Sequence, residues 1–492
     1  MTALIDRRAP GGTRRSFRAR LSRPAVPVDE AAASPRRPVL RSFNLQLALV
    51  AVAALVVRVG YVLLAKRDES LLTLAAGDQI FYSGAAEALA GGRGFVEPYA
   101  SSTIPAADHP PLTAIVAAPA SLLPGDSLLA QRLTMCAIGV VTVVVIGLIG
   151  RRIAGPRCGL IAAGVAAVYP ALWVNDGLVM SESVGAATIA AAVLLAYRFI
   201  ESPSIGRAFA LGLTVGVAGL ARAESLLLLP FMGLPLCWWF VSGRARQIGR
   251  LAVICAGTAL ALAPWVLPNL FRFENPVLLS SNDGLTLLGA NCDAVYEGEG
   301  TGLWSLECLA LSDSDGDGVD DYAEFVAGTD IPDPDDSVSS AAQRSAAFEY
   351  ITDNVARVPA VAAVRIARLW GFYAPGAMVD YNQGESRERW ASWAGYFTYL
   401  VLLASAVAGA LVLRRRRVPL TPLLSQFVAV TVTAALFYGL WRFRIPAEIA
   451  IIVLAAAAVD ELVGVRRGRT EEDLSAVDRS AGPIEPASTA AE

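Results

Sequence analysis

Long apolar tracts, separated by short charged links and by two long polar loops, set the pattern of this chain. Tracts such as Phe43–Leu64, Leu129–Gly150, Ala252–Leu270 and Tyr396–Leu413 can each cross a hydrocarbon layer of about 30 Å. Water is absent there, so each tract must satisfy its own backbone groups and is expected to be a helix. The pattern predicts ten spans, at about 43–64, 129–150, 158–174, 181–199, 207–222, 224–241, 251–270, 394–413, 418–440 and 446–464. The pair 207–222 and 224–241 is joined only by Ala221-Arg222-Ala223-Glu224, and kinked or partly re-entrant helices are expected there.

The links alternate in charge. Every second one is basic: Arg151, Arg152 and Arg157; Arg198 and Arg207; Arg244, Arg246 and Arg250; Arg414–Arg417; Arg466, Arg467 and Arg469. The positive-inside bias puts these links, and with them both termini, on the cytoplasmic side. Two long loops then face outward. The first, 65–128, holds two amphipathic pieces, Ile80–Ala90 and Leu112–Leu123 after Pro110-Pro111. Both are too short to span and are expected along the membrane surface. The second, 271–393, is rich in acids and turn residues. The predicted fold is therefore an all-α polytopic membrane protein of about ten transmembrane helices. Its organisation is a basic tail (1–42), an N-terminal membrane module (43–270), an outer acidic insert (271–393), C-terminal helices (394–465) and a second tail (466–492).

Composition agrees. The chain is 55% hydrophobic and 17% charged, with mean hydropathy +0.50, too apolar for a soluble domain of this size. A net charge of −3 argues against nucleic acid as a partner. Lys66 is the only lysine, and with abundant Ala and Gly this points to a GC-rich, bacterial genome. Arginines among Pro, Ala and Ser make the first forty residues a disordered tail, too far ahead of the first span for a signal peptide. Cys136, Cys158, Cys237 and Cys255 fall in apolar tracts as small packing residues. Cys292 and Cys308 lie in the second outer loop, where an oxidising compartment permits a disulfide. One histidine and no Cys-x-x-Cys pair exclude soluble transition-metal enzymes.

Ionisable residues at the predicted outer helix ends carry the candidate chemistry. Asp78 opens the first amphipathic piece, where an Asp also serves as a helix cap. Asp108-His109-Pro110-Pro111 follows, with the only histidine; then Asp176, Glu182, Arg222, Glu224, Arg442 and Arg444. Charges at membrane depth are costly, so their company suggests a polar cavity at the outer leaflet. Arg58, inside the first span, must pair with an acid or snorkel outward.

The run Gly77-Asp78-Gln79…Tyr82…Ala85…Leu89…Gly92…Gly94, then His109-Pro110-Pro111-Leu112, resembles the GT-C glycosyltransferases. So do Ala221-Arg222-Ala223-Glu224-Ser225, Pro264-Trp265…Asn269, Asn282-Asp283-Gly284…Gly289-Ala290-Asn291 and Arg442-Phe443-Arg444-Ile445-Pro446. The nearest likeness is to the bacterial branch related to protein O-mannosyltransferases and the lipid A aminoarabinose transferase. The resemblance implies transfer of a sugar from a polyprenyl-phosphate donor to a glycan, lipid or protein outside the cytoplasm, with inversion. Asp78 takes the place of the general base or its orienter, and Arg222, Arg442 and Arg444 suit the leaving phosphate. Asp108-His109 stands where an acid–lysine pair precedes the proline, so His109 is expected near the phosphate. Glu182 and Glu224 complete the expected site. No residue selects the sugar, and a catalytic divalent ion stays open. The alternatives are a transporter or flippase for a lipid-linked sugar, and a non-catalytic membrane scaffold.

Asp313-Ser314-Asp315-Gly316-Asp317-Gly318-Val319-Asp320-Asp321-Tyr322-Ala323-Glu324 matches a calcium loop in full. Asp313, Asp315, Asp317, Asp321 and Glu324 supply carboxylates, Val319 a carbonyl, and Gly318 the turn. The stretch to Asp336 resembles a bacterial thrombospondin type 3 repeat, so a structural calcium is expected over 313–336.

Overall fold

The structure, a computed structural model, describes residues 37–69, 77–98, 103–313, 319, 321 and 335–480. Among them the chain is helical, apart from loops and one isolated bridge between Val96 and Pro105. Helix α1 (Arg37–Tyr61) ends in a π turn, Val62–Lys66. The first outer loop holds α2 (Gly77–Ala90) and α3 (Leu112–Ala117). Next come α4 (Ser127–Ala154), α5 (Pro156–Val168), α6 (Pro170–Asp176), α7 (Ser181–Glu201), α8 (Ile205–Ala221), α9 (Leu234–Phe240) and α10 (Arg244–Arg272). The insert contributes α11 (Asp283–Leu288), α12 (Asp293–Tyr296), α13 (Asp336–Asp353), α14 (Val358–Leu369) and α15 (Pro375–Gly384). The last three are α16 (Arg389–Arg415), α17 (Thr421–Leu436) and α18 (Ile445–Ser480).

Six helical stretches among the described residues are long and apolar enough to cross a membrane, and the bent pair α5–α6 makes a seventh. The protein is thus a multi-pass membrane protein. The predicted tracts are helical over most of their length, although Ile205–Ala221 and Thr421–Leu436 are shorter helices than the spanning ones, and the tract 158–174 is not one rod: α5 and α6 meet at 57°. Pro170 causes the break, because it has no N–H for the carbonyl four residues earlier and its ring crowds that carbonyl. The tract 224–241 is irregular, as its joint with 207–222 predicted: a 3-10 turn (Ala223–Leu227) and a π turn around Pro230 precede α9.

α18 runs through the centre. Its residues Ile449–Ala457 are buried on every side, which fits a helix apolar all round. Leu47 of α1, Ile146 of α4, Val193 of α7 and Leu211 of α8 pack into the same core. Helices approach closely through small residues: a Cβ on Gly212 or Gly409 would overlap the facing backbone carbonyl of Ile254 or Leu454. Three of the four membrane cysteines are buried as expected; Cys255 is exposed on α10 instead, on a helix face turned away from the core.

The acidic insert has an apolar cluster of its own. Leu288, Cys292, Val295, Cys308, Ala347 and Val361 form it, and a disulfide joins Cys292 to Cys308 with Cα atoms 5.3 Å apart. Of the predicted calcium ligands, Asp313, Val319 and Asp321 are described, while Asp315, Asp317 and Glu324 lie outside the described residues.

Candidate active site

Asp78 is the second residue of α2, where a negative charge suits the N-terminal dipole. Its Oδ2 accepts a 2.7 Å hydrogen bond from Nη1 of Arg442, 364 residues along the chain. Arg442 sits in a single 3-10 turn, Trp441–Arg444, that ends as Pro446 opens α18. The same Nη1 lies 2.9 Å from Glu385, and Nε lies 3.9 Å from Glu182. Glu182, in the first turn of α7, holds Arg222 at 2.9 Å. Arg222 also donates to Ser181 Oγ at 3.0 Å and to Glu224 at 2.6 Å. Phe443 lies between the two arginines, its ring centre 5.3 Å from the Arg222 guanidinium and 5.6 Å from that of Arg442. The first outer loop, the start of α7, the α8 exit and the last outer turn therefore meet in one polar cluster.

Two members were missed by the sequence reading. Glu385 and Arg387 follow α15, pair with each other, and reach Arg442 and Glu182 respectively. Ser386 between them has φ +63°, a left-handed conformation uncommon for serine. That turn aims both side chains inward. It is tied to the first span, because the Ser386 carbonyl accepts from Lys66, whose ammonium also meets Glu388 at 2.6 Å and Glu69 at 2.9 Å. The missed signal was an alternating-charge run, Glu385-Ser386-Arg387-Glu388-Arg389, directly before an outer helix end.

The electrostatics follow from these pairs. Burial alone would raise the Asp78 carboxyl, but the Arg442 guanidinium and His109 hold it well below the usual carboxylate range. Asp78 still keeps 31% of its side chain exposed, so it faces an opening. His109 stands on the other side of it, Nε2 3.5 Å from Asp78 Oδ1. The imidazole stacks on Tyr82 (centroids 5.0 Å apart) and meets Phe81 edge-on at 4.9 Å. A small cleft adjoins the cluster, lined among others by Arg387, Arg442, Arg444, Asn175, Asn382 and Ser392.

Other predicted residues are placed elsewhere. Asp108 is not beside the arginines: it meets Ser281 Oγ at 3.3 Å and gathers with Glu97 and Asp336, carboxylate oxygens within 4.8 Å. Burial and the Asp336 carboxylate push Asp108 well above the usual carboxylate range. Arg444 turns inward to Glu448 and to the Leu369 carbonyl at 3.0 Å, with its guanidinium 3.5 Å from the Tyr399 ring centre. Asp176, expected at the outer face, is enclosed in the bundle and accepts from Arg58 Nε at 2.7 Å. Arg58 also donates to the carbonyls of Ala166 and Ala167. Ala166 is the residue whose carbonyl Pro170 leaves without its helical partner. Arg58 thus pairs with an acid rather than snorkelling, and it caps the broken helix.

Comparison with known proteins agrees with this frame. Residues 108–271 match the family of dolichyl-phosphate-mannose-protein mannosyltransferases, PMT_2. No curated protein matches in sequence. Among solved structures, the archaeal oligosaccharyltransferase AglB from Archaeoglobus fulgidus, in complex with an inhibitory peptide and a dolichol-phosphate, superposes with a TM-score of 0.52 at 15% identity. The match covers 92% of this chain and 53% of AglB, so the chain spans about half the length of that relative. ArnT from Cupriavidus metallidurans bound to undecaprenyl phosphate aligns at 13% identity over 85% of this chain and 78% of its own, with a TM-score of 0.41. The chain thus shares the fold of AglB over about half of that protein's length.

Proposed function

We propose that this protein is an inverting membrane glycosyltransferase that moves a sugar from a polyprenyl-phosphate donor to an acceptor hydroxyl at the outer leaflet. The observation that carries the reading is the contact between Asp78 of the first outer loop and Arg442 of the last. A carboxylate kept ionised at an opening can accept from the attacking hydroxyl or orient it, and guanidinium groups beside it can take up the charge that develops on the leaving phosphate. Arg442, Arg222 and Arg387 are the groups within reach of that charge, with Glu182, Glu224 and Glu385 holding them in place. The AglB structure contains a dolichol-phosphate and a peptide, which supports a lipid-phosphate carrier here as well; the acceptor is a glycan, lipid or protein.

In this reading the chain crosses a bacterial plasma membrane ten times, with both termini cytoplasmic and the 271–393 insert outside. The Asp313–Glu324 loop holds a structural calcium there. The test is a panel of radiolabelled polyprenyl-phosphate sugars given to the purified protein, with and without chelator. D78N should abolish transfer by a protein that still folds. Full activity in D78N would end the mechanism.

A further inference from the structure

Asp78 is an awkward base. Arg442 holds one of its oxygens at 2.7 Å, and the carboxyl sits far below its usual range. A carboxylate so stabilised accepts hydrogen bonds well but takes a full proton poorly, since proton-transfer efficiency falls as the base weakens. Its free oxygen, Oδ1, faces His109 Nε2 at 3.5 Å. The imidazole is fixed from two sides by Tyr82 and Phe81 and is followed by two prolines. Its Nδ1 has no hydrogen-bond partner among the described residues, and 18% of the side chain is exposed.

We propose that His109 is the proton acceptor of the transfer reaction, with Asp78 as the group that orients it. This rests on the glycosyltransferase reading above. The logic is that of a carboxylate–imidazole pair: Nε2–H donates to Asp78, which fixes the tautomer and leaves the Nδ1 lone pair as the base. In the step, the acceptor oxygen forms its bond to the anomeric carbon as its proton passes to Nδ1. The bond from that carbon to the phosphate oxygen breaks, and its electron pair leaves on the lipid phosphate. The imidazolium so formed is stabilised by Asp78, while Arg442, on the other carboxylate oxygen and braced by Glu385, presents its charge to the phosphate. The two groups stand 3.5 Å apart, and catalytic hydrogen bonds of this kind tighten as substrate closes around them.

The charged groups around the imidazole are few. Asp78 and Tyr82 come from α2, Asp108 precedes it in the chain, and Arg442 stands behind Asp78. Arg222 and Glu182 lie beyond Tyr82, whose hydroxyl faces Ser181. The alternative role, phosphate contact by a cationic imidazolium, predicts the opposite pH sign. A phosphate ligand improves donor KM as pH falls; a base loses kcat as pH falls.

Because His109 is the only histidine in the chain, the two ring ¹⁵N resonances come from a single imidazole and need no residue assignment. The full-length protein labelled with ¹⁵N-histidine is studied in lipid nanodiscs, as wild type and as D78N. The expected spectrum is the Nε2–H tautomer in wild type, lost or mixed in D78N. With an active polyprenyl-phosphate sugar, H109Q should lose about 100-fold or more in kcat with donor KM little changed, and lose the acid limb of the pH–rate profile. A raised donor KM with kcat and acid limb intact in H109Q overturns the proposal and leaves the glycosyltransferase reading standing. Failure of wild type to use any donor overturns both. Should H109Q not fold, an imidazole indifferent to D78N still overturns the pair.

Discussion

Replacing Arg58 by methionine removes the cation that the structure places wholly inside the bundle. Asp176 then keeps a buried charge without its 2.7 Å partner, and the carbonyls of Ala166 and Ala167 lose their side-chain donor. Gly139 leaves room for nothing beyond the Asp176 carboxylate, since a Cβ there would overlap it, so the group has little scope to turn away. Breaking one side of such a pair costs about 3–5 kcal/mol, whereas an average polar contact between membrane helices is worth only about 0.6 kcal/mol. The difference decides the reasoning. Unfolding of R58M in mixed detergent micelles, followed by helix content, should fall in the upper range. The double variant R58M/D176L should recover most of the loss, because no unpaired charge remains. Turnover should fall as well, since Asn175, next to Asp176, accepts from Arg387 Nε at 3.0 Å and helps seat it. A loss near 0.6 kcal/mol, or a double variant no better than R58M, would refute the account of the bend.

E385Q removes the acid shared by Arg442 and Arg387; kcat/KM for the donor should fall by about 10- to 100-fold with the thermal midpoint nearly unchanged, read in the radiolabelled transfer assay. Asp108 is held above its usual range in the folded chain, so its stabilisation is complete below the ordinary aspartate range and fades as pH rises through the raised value. D108N should therefore flatten the decline of thermal midpoint with rising pH, measured by scanning calorimetry. Chelation should lower the midpoint and open 313–336 to protease, and calcium at about 100 times its Kd should return about 2.7 kcal/mol. An unchanged digestion pattern would remove calcium from the insert.

Sidedness made Asp78, Glu182, Arg222, Glu224 and Arg442 legible: alternating basic links assign each helix end to a face, and these residues then share one. Glu385 and Arg387 escaped because their run sits in a loop whose many acids read as solvated surface. Only the left-handed Ser386 and the Lys66 contact show that this run turns inward. The same argument from sidedness also put Asp108 and Asp176 with the site. Each instead follows a partner from distant sequence, Asp336 and Arg58. Pro170 was legible as a helix breaker, but the donor that takes up the freed carbonyls, Arg58, comes from another helix and no local pattern carries it.

The chain's single lysine is enclosed, 2% exposed, by Glu69, Glu388 and the Ser386 carbonyl. Amine-directed reagents therefore find no open side chain on the folded protein. Acylation at Lys66 becomes a clock for the parting of the first helix from the 385–388 turn, and a mass increment there, timed with and without donor lipid, reads the breathing of this joint in a native bilayer.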